Sequence, residues 1–306
     1  MSAAETVAES PAVSVVVAAW SGEGLLSRCL DSLEPQRGPA EVIVALNCRA
    51  DVARRLEKRY PAVRFVRGPE GASVFELRAV GVTHARGRLV ALTEDHTTVG
   101  PRWVEALCAA HGQGHGIVGG PVDNGLVRRA YDWALYFSEY GLYMPPIAEG
   151  PVAILSGINI AYDLRLLMSC TRVWQRSLRE NEVHDALRAS GQSLYLVPDA
   201  WVASHLPMTL VQAIKHLFEG GRHFGRYRAS RSSWLGRLFW VAASPAVPLM
   251  LSLRIASRVA SRRPSRLLHL LRGLGYLTLL LGAWSAGEAS GYLGGLQFTP
   301  LRKSEG

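Results

Sequence analysis

The sequence predicts an α/β fold, a mixed but mostly parallel sheet with helices on both faces, followed by a set of apolar C-terminal helices. Three observations carry that prediction. Runs of β-branched residues recur without polar alternation, the pattern of strands buried on both faces. Between them lie stretches of about a dozen residues with apolar positions at helical spacing, and strand–helix alternation of that kind implies right-handed parallel crossovers. Charge and hydropathy then change together near Arg222: from there to the C-terminus 13 Lys/Arg stand against 2 Asp/Glu, whereas the preceding residues carry 21 against 23.

Taken in order, "VSVVVAAW" (Val13–Trp20) is the first buried strand and "EGLLSRCLDSL" the helix after it. "EVIVALN" (Glu41–Asn47) and "ADVARRLEKRY" repeat the pair, as do "VRFVRG" and "ASVFELRAVGVTHA". "RLVALTEDH" ends the series with an apolar run that stops at Glu94, Asp95 and His96. "GIVGGPV" reads as one further strand, "RRAYDWALYFSEYGLY" as an aromatic helix, and "AILSGINIAYDLRLL" as a strand or loop entering a helix. In "RENEVHDALRASGQSLYLVPDAWVASH" a helix stops at Gly191 and a strand ends near His205. No internal repeat or low-complexity segment is present. The expected organisation is a tail over residues 1–11, an α/β domain over 12–221 and a basic, apolar helical region over 222–306.

Composition narrows the function classes. The net charge of +9 is a property of the C-terminal region, where basic residues alternate with long apolar runs. A nucleic-acid surface would interleave them with polar and stacking groups, so an anionic membrane is the expected partner and nucleic acid is not. Four dispersed cysteines without CxxC spacing indicate neither a zinc knot nor a disulfide framework, and fit a reducing cytoplasm. The N-terminal "MSAAETVAESPAVS" has no basic n-region and no apolar h-region, so a secretory signal is not expected.

In parallel sheets ligands collect beyond the carboxyl ends of the strands. Glu94, Asp95 and His96 fall at one such end, Ala19, Trp20 and Ser21 at a second, and Asn47 at a third. The order of these pieces resembles the family-2 glycosyltransferases of the GT-A (Rossmann-like) fold over roughly Ala12–His205. The family opens with an apolar strand and a small polar turn, here "VSVVVAAWSGEGLLSRCLDSL", and places a Gly/Arg segment, here "GASVFELRAVG", before its DxD motif. It closes with Gly-x-Asn, here "SGINIAY", an acidic pair opening a helix, and a His after the next strand.

The resemblance implies a nucleotide-diphosphate sugar as donor, a divalent metal, and inverting transfer of the sugar to a lipid or glycan acceptor. "EDH" stands at the DxD position, which implies Asp95 and His96 as metal ligands, joined by His205. An imidazole ligand tilts the expected ion toward Mn²⁺ and away from Mg²⁺. The donor would meet Ala19, Trp20, Asn47, Arg78, Glu94 and Asp95, with Arg222 and Arg226 from "GGRHFGRYR" as clamps on its diphosphate. Where the family often ends its second strand with two acids, this chain has Leu46 and Asn47, which leaves the nucleotide unassigned. Gly157, Asn159 and Trp174 would shape the acceptor side.

The family's base lies in the acidic pair, but here Glu180 is followed by Asn181. An amide cannot take a proton, so the base is either Glu180 or Glu182, and Glu182 is the favoured reading because the first acid of the pair more often orients the acceptor.

Leu238–Leu253 is an uncharged run containing Pro245 and Pro248, and Gly273–Gly295 is a longer one interrupted only by Glu288. A bilayer span needs about 20 residues, so the second qualifies as a transmembrane helix and the first is marginal. Two spans would put the basic Arg254–Arg272 linker outside, against the positive-inside tendency, whereas an interfacial or re-entrant hairpin avoids the conflict. A dimer mate is the alternative cover for those helices. The Gln-x-x-Arg-Trp signature of processive synthases is missing, so single-sugar transfer at a cell membrane, with the catalytic domain cytoplasmic, is the expectation. The rival readings are a glycosyltransferase-like binding protein without turnover, and a nucleotidyltransferase. The second would carry a cation in its first phosphate loop, where "AAWSGEGLL" has none.

Overall fold

The computed structural model describes residues 11–38, 40–48 and 50–294, so the expected tail over 1–11 lies almost wholly outside the described residues. The chain divides into two compact units, the first up to Gly125 with Tyr143–Leu206, the second Leu126–Leu142 with the residues from Pro207 onward. The expected boundary at 221/222 therefore falls inside a helix, Leu210–Ala229.

In the first unit β1 (Val13–Ala19), α1 (Glu23–Leu33), β2 (Ala40–Leu46), α2 (Ala50–Arg59), β3 (Val63–Arg67), α3 (Val74–Val82) and β4 (Leu89–Glu94) alternate as the sequence predicts. Then come β5 (Thr97–Val99), α4 (Trp103–Gly112), β6 (Ile117–Gly119) and β7 (Val122–Asn124). After α5 (Ala130–Tyr140), which belongs to the second unit, follow β8 (Gly150–Val152), β9 (Ile160–Asp163), α6 (Leu164–Ser169), α7 (Thr171–Trp174), α8 (Glu180–Ala189), β10 (Leu194–Leu196) and β11 (Val202–Ser204).

The large sheet has the order β3-β2-β1-β4-β9-β6-β10-β8, and a small one the order β5-β11-β7. Strands β1 to β4 pair in parallel, while β9 runs antiparallel to both β4 and β6. Every residue of β1 is buried, because both faces are covered. Val16 and Ala18 pack with Leu77 and Val82 of α3 and with Val183 and Leu187 of α8 on one face, and Val15 and Val17 are enclosed on the other.

Two expected strands are each broken in two. "GIVGGPV" divides at Gly120-Pro121 into β6 and β7, and the strand expected to end near His205 divides into β10 and β11, so that each broken strand serves both sheets. The breaks run side by side: Val197 N donates to Gly119 O at 2.8 Å and Val202 N to Pro121 O at 3.0 Å. Gly120 is required at the crossing, since a Cβ there would stand 1.7 Å from Ala200 O.

The second unit consists of α5 and of α9 (Leu210–Ala229), α10 (Trp234–Ala243), α11 (Val247–Arg262) and α12 (Leu267–Gly294). The first apolar run is not one helix: a 3₁₀ turn at Ser244–Ala246 separates α10 from α11. The second run lies in α12, except Gly295, which is outside the described residues. Helices α9 and α12 meet backbone to backbone. A Cβ on Gly221 would stand 2.1 Å from Trp284 O, on Gly225 2.2 Å from Glu288 O, on Gly287 1.9 Å from Phe218 O and on Gly291 2.4 Å from Arg222 O. Two Gly-x-x-x-Gly pairs thus interlock, one on each helix, the arrangement that lets helices approach most closely.

Candidate active site

Strand periodicity decides how the acidic cluster opens. Successive side chains of β4 alternate between the faces of the sheet, so Glu94 follows Val90 and Leu92 onto the side covered by α3 and α8, and Asp95 turns the other way. Each acid therefore meets different partners.

Glu94 is 5% exposed and lies against Arg78 of α3, whose Nη2 donates to Glu94 Oε1 in a short contact. Arg78 is itself 3% exposed, and its other terminal nitrogen, Nη1, donates to Glu180 Oε2 at 3.0 Å. One buried guanidinium thus joins the DxD position to the first acid of α8. Burial opposes charge on Arg78, but Glu94 and Glu180 outweigh it and keep the guanidinium charged. Burial likewise works against the Glu94 carboxylate and is overcome by Arg78, His96 and the Trp20 indole, which hold it below the ordinary range. Gly157 makes room for this bridge: a Cβ there would stand 2.7 Å from Arg78 Nη1 and 2.8 Å from Glu180 Cδ.

Asp95, 1% exposed, is held by the turn after β1. Its Oδ2 accepts from the backbone N–H of Trp20 at 2.9 Å and of Ser21 at 2.6 Å. The turn can present both donors because Gly22 takes a left-handed φ of 118° at the start of α1. The other carboxylate oxygen, Oδ1, is enclosed and has no hydrogen-bond partner. Burial pushes the Asp95 carboxyl up to about 6 in spite of the bonds from Ser21 and Trp20. His96 Nδ1 stands 3.5 Å from Glu94 Oε2 and 3.9 Å from Asp95 Oδ1. Trp20 closes the cluster: its Nε1 donates to Glu94 Oε2 at 2.9 Å, its ring stands edge-on to His96 at 5.9 Å, and the indole is 43% exposed.

Among the described residues no three His, Cys, Asp or Glu side chains stand ready to hold a metal ion. The ligand set is instead incomplete, with Asp95 Oδ1 as a buried oxygen without a hydrogen-bond partner and His96 beside it. That fits a divalent cation of the kind bound through one or two carboxylates, the rest of its shell being completed by substrate phosphates.

His205 is joined to the cluster through its backbone, its N–H donating to His96 O at 2.7 Å. Its ring is engaged elsewhere. Arg28 Nη1 contacts Nδ1 at 3.1 Å and Thr98 Oγ1 contacts Nε2 at 3.0 Å. A guanidinium can only donate, so Nδ1 accepts and the proton sits on Nε2. Metal ligation by His205 would require it to give up one of these bonds. The sequence offered no signal for this latch, because Arg28 and His205 are 177 residues apart.

The remaining expected residues separate by position. Ala19 ends β1 in register with Leu46. Asn47 stands exposed at the end of β2, its amide donating to Pro69 O at 2.9 Å. Asn159 is fully enclosed and saturated: Oδ1 accepts from Trp103 Nε1 at 2.8 Å, and Nδ2 donates to Pro121 O at 2.9 Å and Ala200 O at 2.8 Å. Trp174 is 1% exposed and donates to Leu167 O at 2.7 Å. Neither presents an exposed surface to an acceptor. Arg222 and Arg226 lie on α9 in the second unit, Arg222 paired with Glu219 and Arg226 exposed.

Glu180 and Glu182 take different places on α8. Residues 180, 183, 184 and 187 share one stripe of α8, and Val183, His184 and Leu187 of that stripe are buried. Glu180 is on the stripe and reaches Arg78, whereas Glu182 lies about 200° away around the helix.

Beneath Glu180 the same stripe carries a buried pair that sequence reading missed. His184 Nε2 lies 2.9 Å from the Tyr162 hydroxyl, and His184 is 2% exposed. Burial, helped by Arg188, lowers the His184 imidazole from 6.5 to about 3. The unfolded chain therefore takes up this proton first. Stability from His184 is complete above about pH 6.5 and is lost as pH falls toward 3, by up to about 1.4 kcal/mol per pH unit. His184→Gln, whose amide oxygen can still accept from Tyr162, should give a shallower acid limb in urea unfolding between pH 6 and 4. Parallel limbs would refute the assignment.

Residues 14–167 match the sequence model of Glycosyl transferase family 2. No curated protein matches the chain. Among solved structures, residues 1–349 of TarS from S. aureus superpose with a TM-score of 0.51 at 14% identity, covering 91% of this chain and 90% of that one. The same TarS fragment has been solved with UDP-GlcNAc. The mannosyltransferase PcManGT from Pyrobaculum calidifontis, solved with GDP-Man and Mn²⁺, superposes with a TM-score of 0.52 at 16% identity, covering 92% and 88%. At these identities the likeness establishes a shared GT-A fold and nothing finer.

Proposed function

The chain belongs to glycosyl transferase family 2 and is a glycosyltransferase, and from that premise we propose that it moves a sugar with inversion from a nucleotide-diphosphate sugar to a lipid or glycan acceptor at the cytoplasmic face of a membrane. The observation that carries this reading is Asp95. One of its oxygens is fixed by two backbone N–H groups while the other is left without a partner at the carboxyl end of β4. That is the place where a parallel sheet gathers its ligands.

A divalent cation, Mn²⁺ or Mg²⁺, would be held by Asp95 with His96 beside it, and when bound supplies Lewis-acid stabilisation of charge on the departing diphosphate. The protein's own residues do the rest. Trp20 offers an exposed indole face pinned by Glu94, and Asn47, its N–H committed to Pro69, offers its amide oxygen to the nucleoside. Glu180, partly exposed and oriented by Arg78, is the base that accepts the proton of the acceptor hydroxyl.

The test is thermal shift with a set of nucleotide sugars, with and without Mn²⁺. A ligand that binds only the folded state stabilises it by about 2.7 kcal/mol at a hundredfold excess over its Kd. A rise in Tm that needs both donor and metal, and that is lost in Asp95→Ala, is the expected result. Metal-dependent donor binding that survives in Asp95→Ala overturns the reading.

A further inference from the structure

By length and hydropathy alone the second unit could cross a bilayer twice, since Trp234–Arg262 contains an 18-residue stretch of mean hydropathy 1.6 and Pro264–Gly294 one of 1.3. What lies against α12 argues otherwise. Its C-terminal half is locked to α9 through Gly221, Gly225, Gly287 and Gly291, backbone against backbone. Such packing keeps the two axes within about 10 Å of each other, so wherever this half of α12 goes, α9 goes too. Helix α9 carries Lys215, Glu219, Arg222, Arg226 and Arg228, of which Lys215 and Arg226 are exposed. Each charge at a bilayer centre costs about 2.5–3.5 kcal/mol on insertion scales.

Glu288, on α12 itself, is 4% exposed and accepts from Tyr292 at 2.7 Å and from Arg228 at 3.3 Å, which ties the charged side of α9 into the contact. The N-terminal half of α12 is tied in the same way to α5. Gly273 lies against Ala130 and Ala134, and His269 stacks on Trp133 at 4.6 Å. Helix α5 opens on the Arg129–Asp132 ion pair. Both halves of α12 are therefore flanked by helices bearing charges.

The outer surface is different. Leu235 and Phe239 on α10, Leu249 and Leu253 on α11, and Leu271 and Leu279 on α12 are all exposed, Leu249 and Leu271 to 65%. Beside them stand the exposed Arg231, Arg254, Arg262 and Arg272, and no Asp or Glu occurs between Arg222 and Glu288. Apolar side chains among exposed cations match a headgroup layer of anionic lipid over an acyl boundary.

We infer that α10, α11 and the outer side of α12 lie in a single leaflet of an anionic membrane and that none of these helices crosses it. This rests on the membrane part of the proposed function and deepens it. It also removes the conflict over the basic turn between α11 and α12, which is then not carried across the bilayer.

The test uses the full chain, because ending it at Ala229 would strip α12 from the glycine face of α9. Ser265→Cys, just before α12, and Leu293→Cys, near its end, are placed in sealed membrane vesicles with the cytoplasmic face outward. They are exposed to a membrane-impermeant maleimide, with adducts read by peptide mass. Both sites should react at similar rates without permeabilisation. If either reacts only after the vesicles are opened, α12 crosses and the inference fails. Purified protein should sediment with vesicles containing anionic lipid, and at least about tenfold less with purely zwitterionic ones. Equal binding overturns the anionic assignment, and a detergent-free dimer that ignores both vesicle types assigns the face to a second copy. None of these readouts needs a donor or turnover, so failure here is distinguishable from failure of the glycosyl-transfer reading.

Discussion

Glu180→Gln should lower the turnover of sugar transfer by roughly 10² to 10⁴, the range expected for loss of a general base, with donor binding and unfolding midpoint nearly unchanged. The amide keeps an oxygen for Arg78 Nη1, which now donates to Glu180 at 3.0 Å, so orientation survives while the ability to take a proton does not. Glu182→Gln is the comparison: it lies off the buried stripe of α8 and should keep nearly full activity. The measurement is single-turnover transfer with saturating donor, which separates chemistry from binding. Loss of activity in Glu182→Gln with retention in Glu180→Gln would reverse the assignment, and indifference to both would mean that neither acid serves as base.

The largest effect on stability is expected at Arg78. Replacing it by Met keeps the volume but leaves Glu94 and Glu180 without their shared cation, and the Glu94 side chain is only 6% exposed. Breaking a buried ion pair by removing one partner costs about 3–5 kcal/mol, a large share of the roughly 5–15 kcal/mol that holds a domain folded. The urea midpoint should drop accordingly with the slope unchanged. The sign of the pH dependence follows from Glu94. Its folded value is depressed in the native protein, so its contribution is present above the unfolded value of 4.5 and is lost as pH falls. The deficit of Arg78→Met should therefore be widest near neutrality and narrow toward acid. A deficit that does not change with pH would mean that lost packing, not uncompensated charge, is what the substitution removes.

Much of this was legible before any coordinates. The β-branched runs at Val13–Ala19, Ala40–Leu46 and Leu89–Glu94 have no other stable fate than the middle of a covered parallel sheet, and they are neighbours there. The meeting of Trp20 with Asp95 follows from parallel pairing alone, since it brings the carboxyl ends of β1 and β4 side by side. The stripe on α8 was readable as well. Glu180 is in phase with Val183 and Leu187, and that phase sets it apart from Glu182. The Gly-x-x-x-Gly pairs at 221/225 and 287/291 were likewise present as spacing, but spacing within one helix does not say which second helix it fits.

The sequence by itself determined the alternation of elements, the sheet edge where the acids collect and the change of character in the C-terminal helices, because periodicity and composition are local properties. Only the tertiary structure decided the partners. Arg78 reaches Glu180 across 102 residues of chain while holding Glu94, Arg28 and Thr98 engage the two nitrogens of the His205 ring, Asn159 is consumed by three buried bonds, and α9 grips α12. Each depends on which groups are brought within hydrogen-bonding or van der Waals distance by packing. That is settled by how far distant segments can approach each other, which no local pattern encodes.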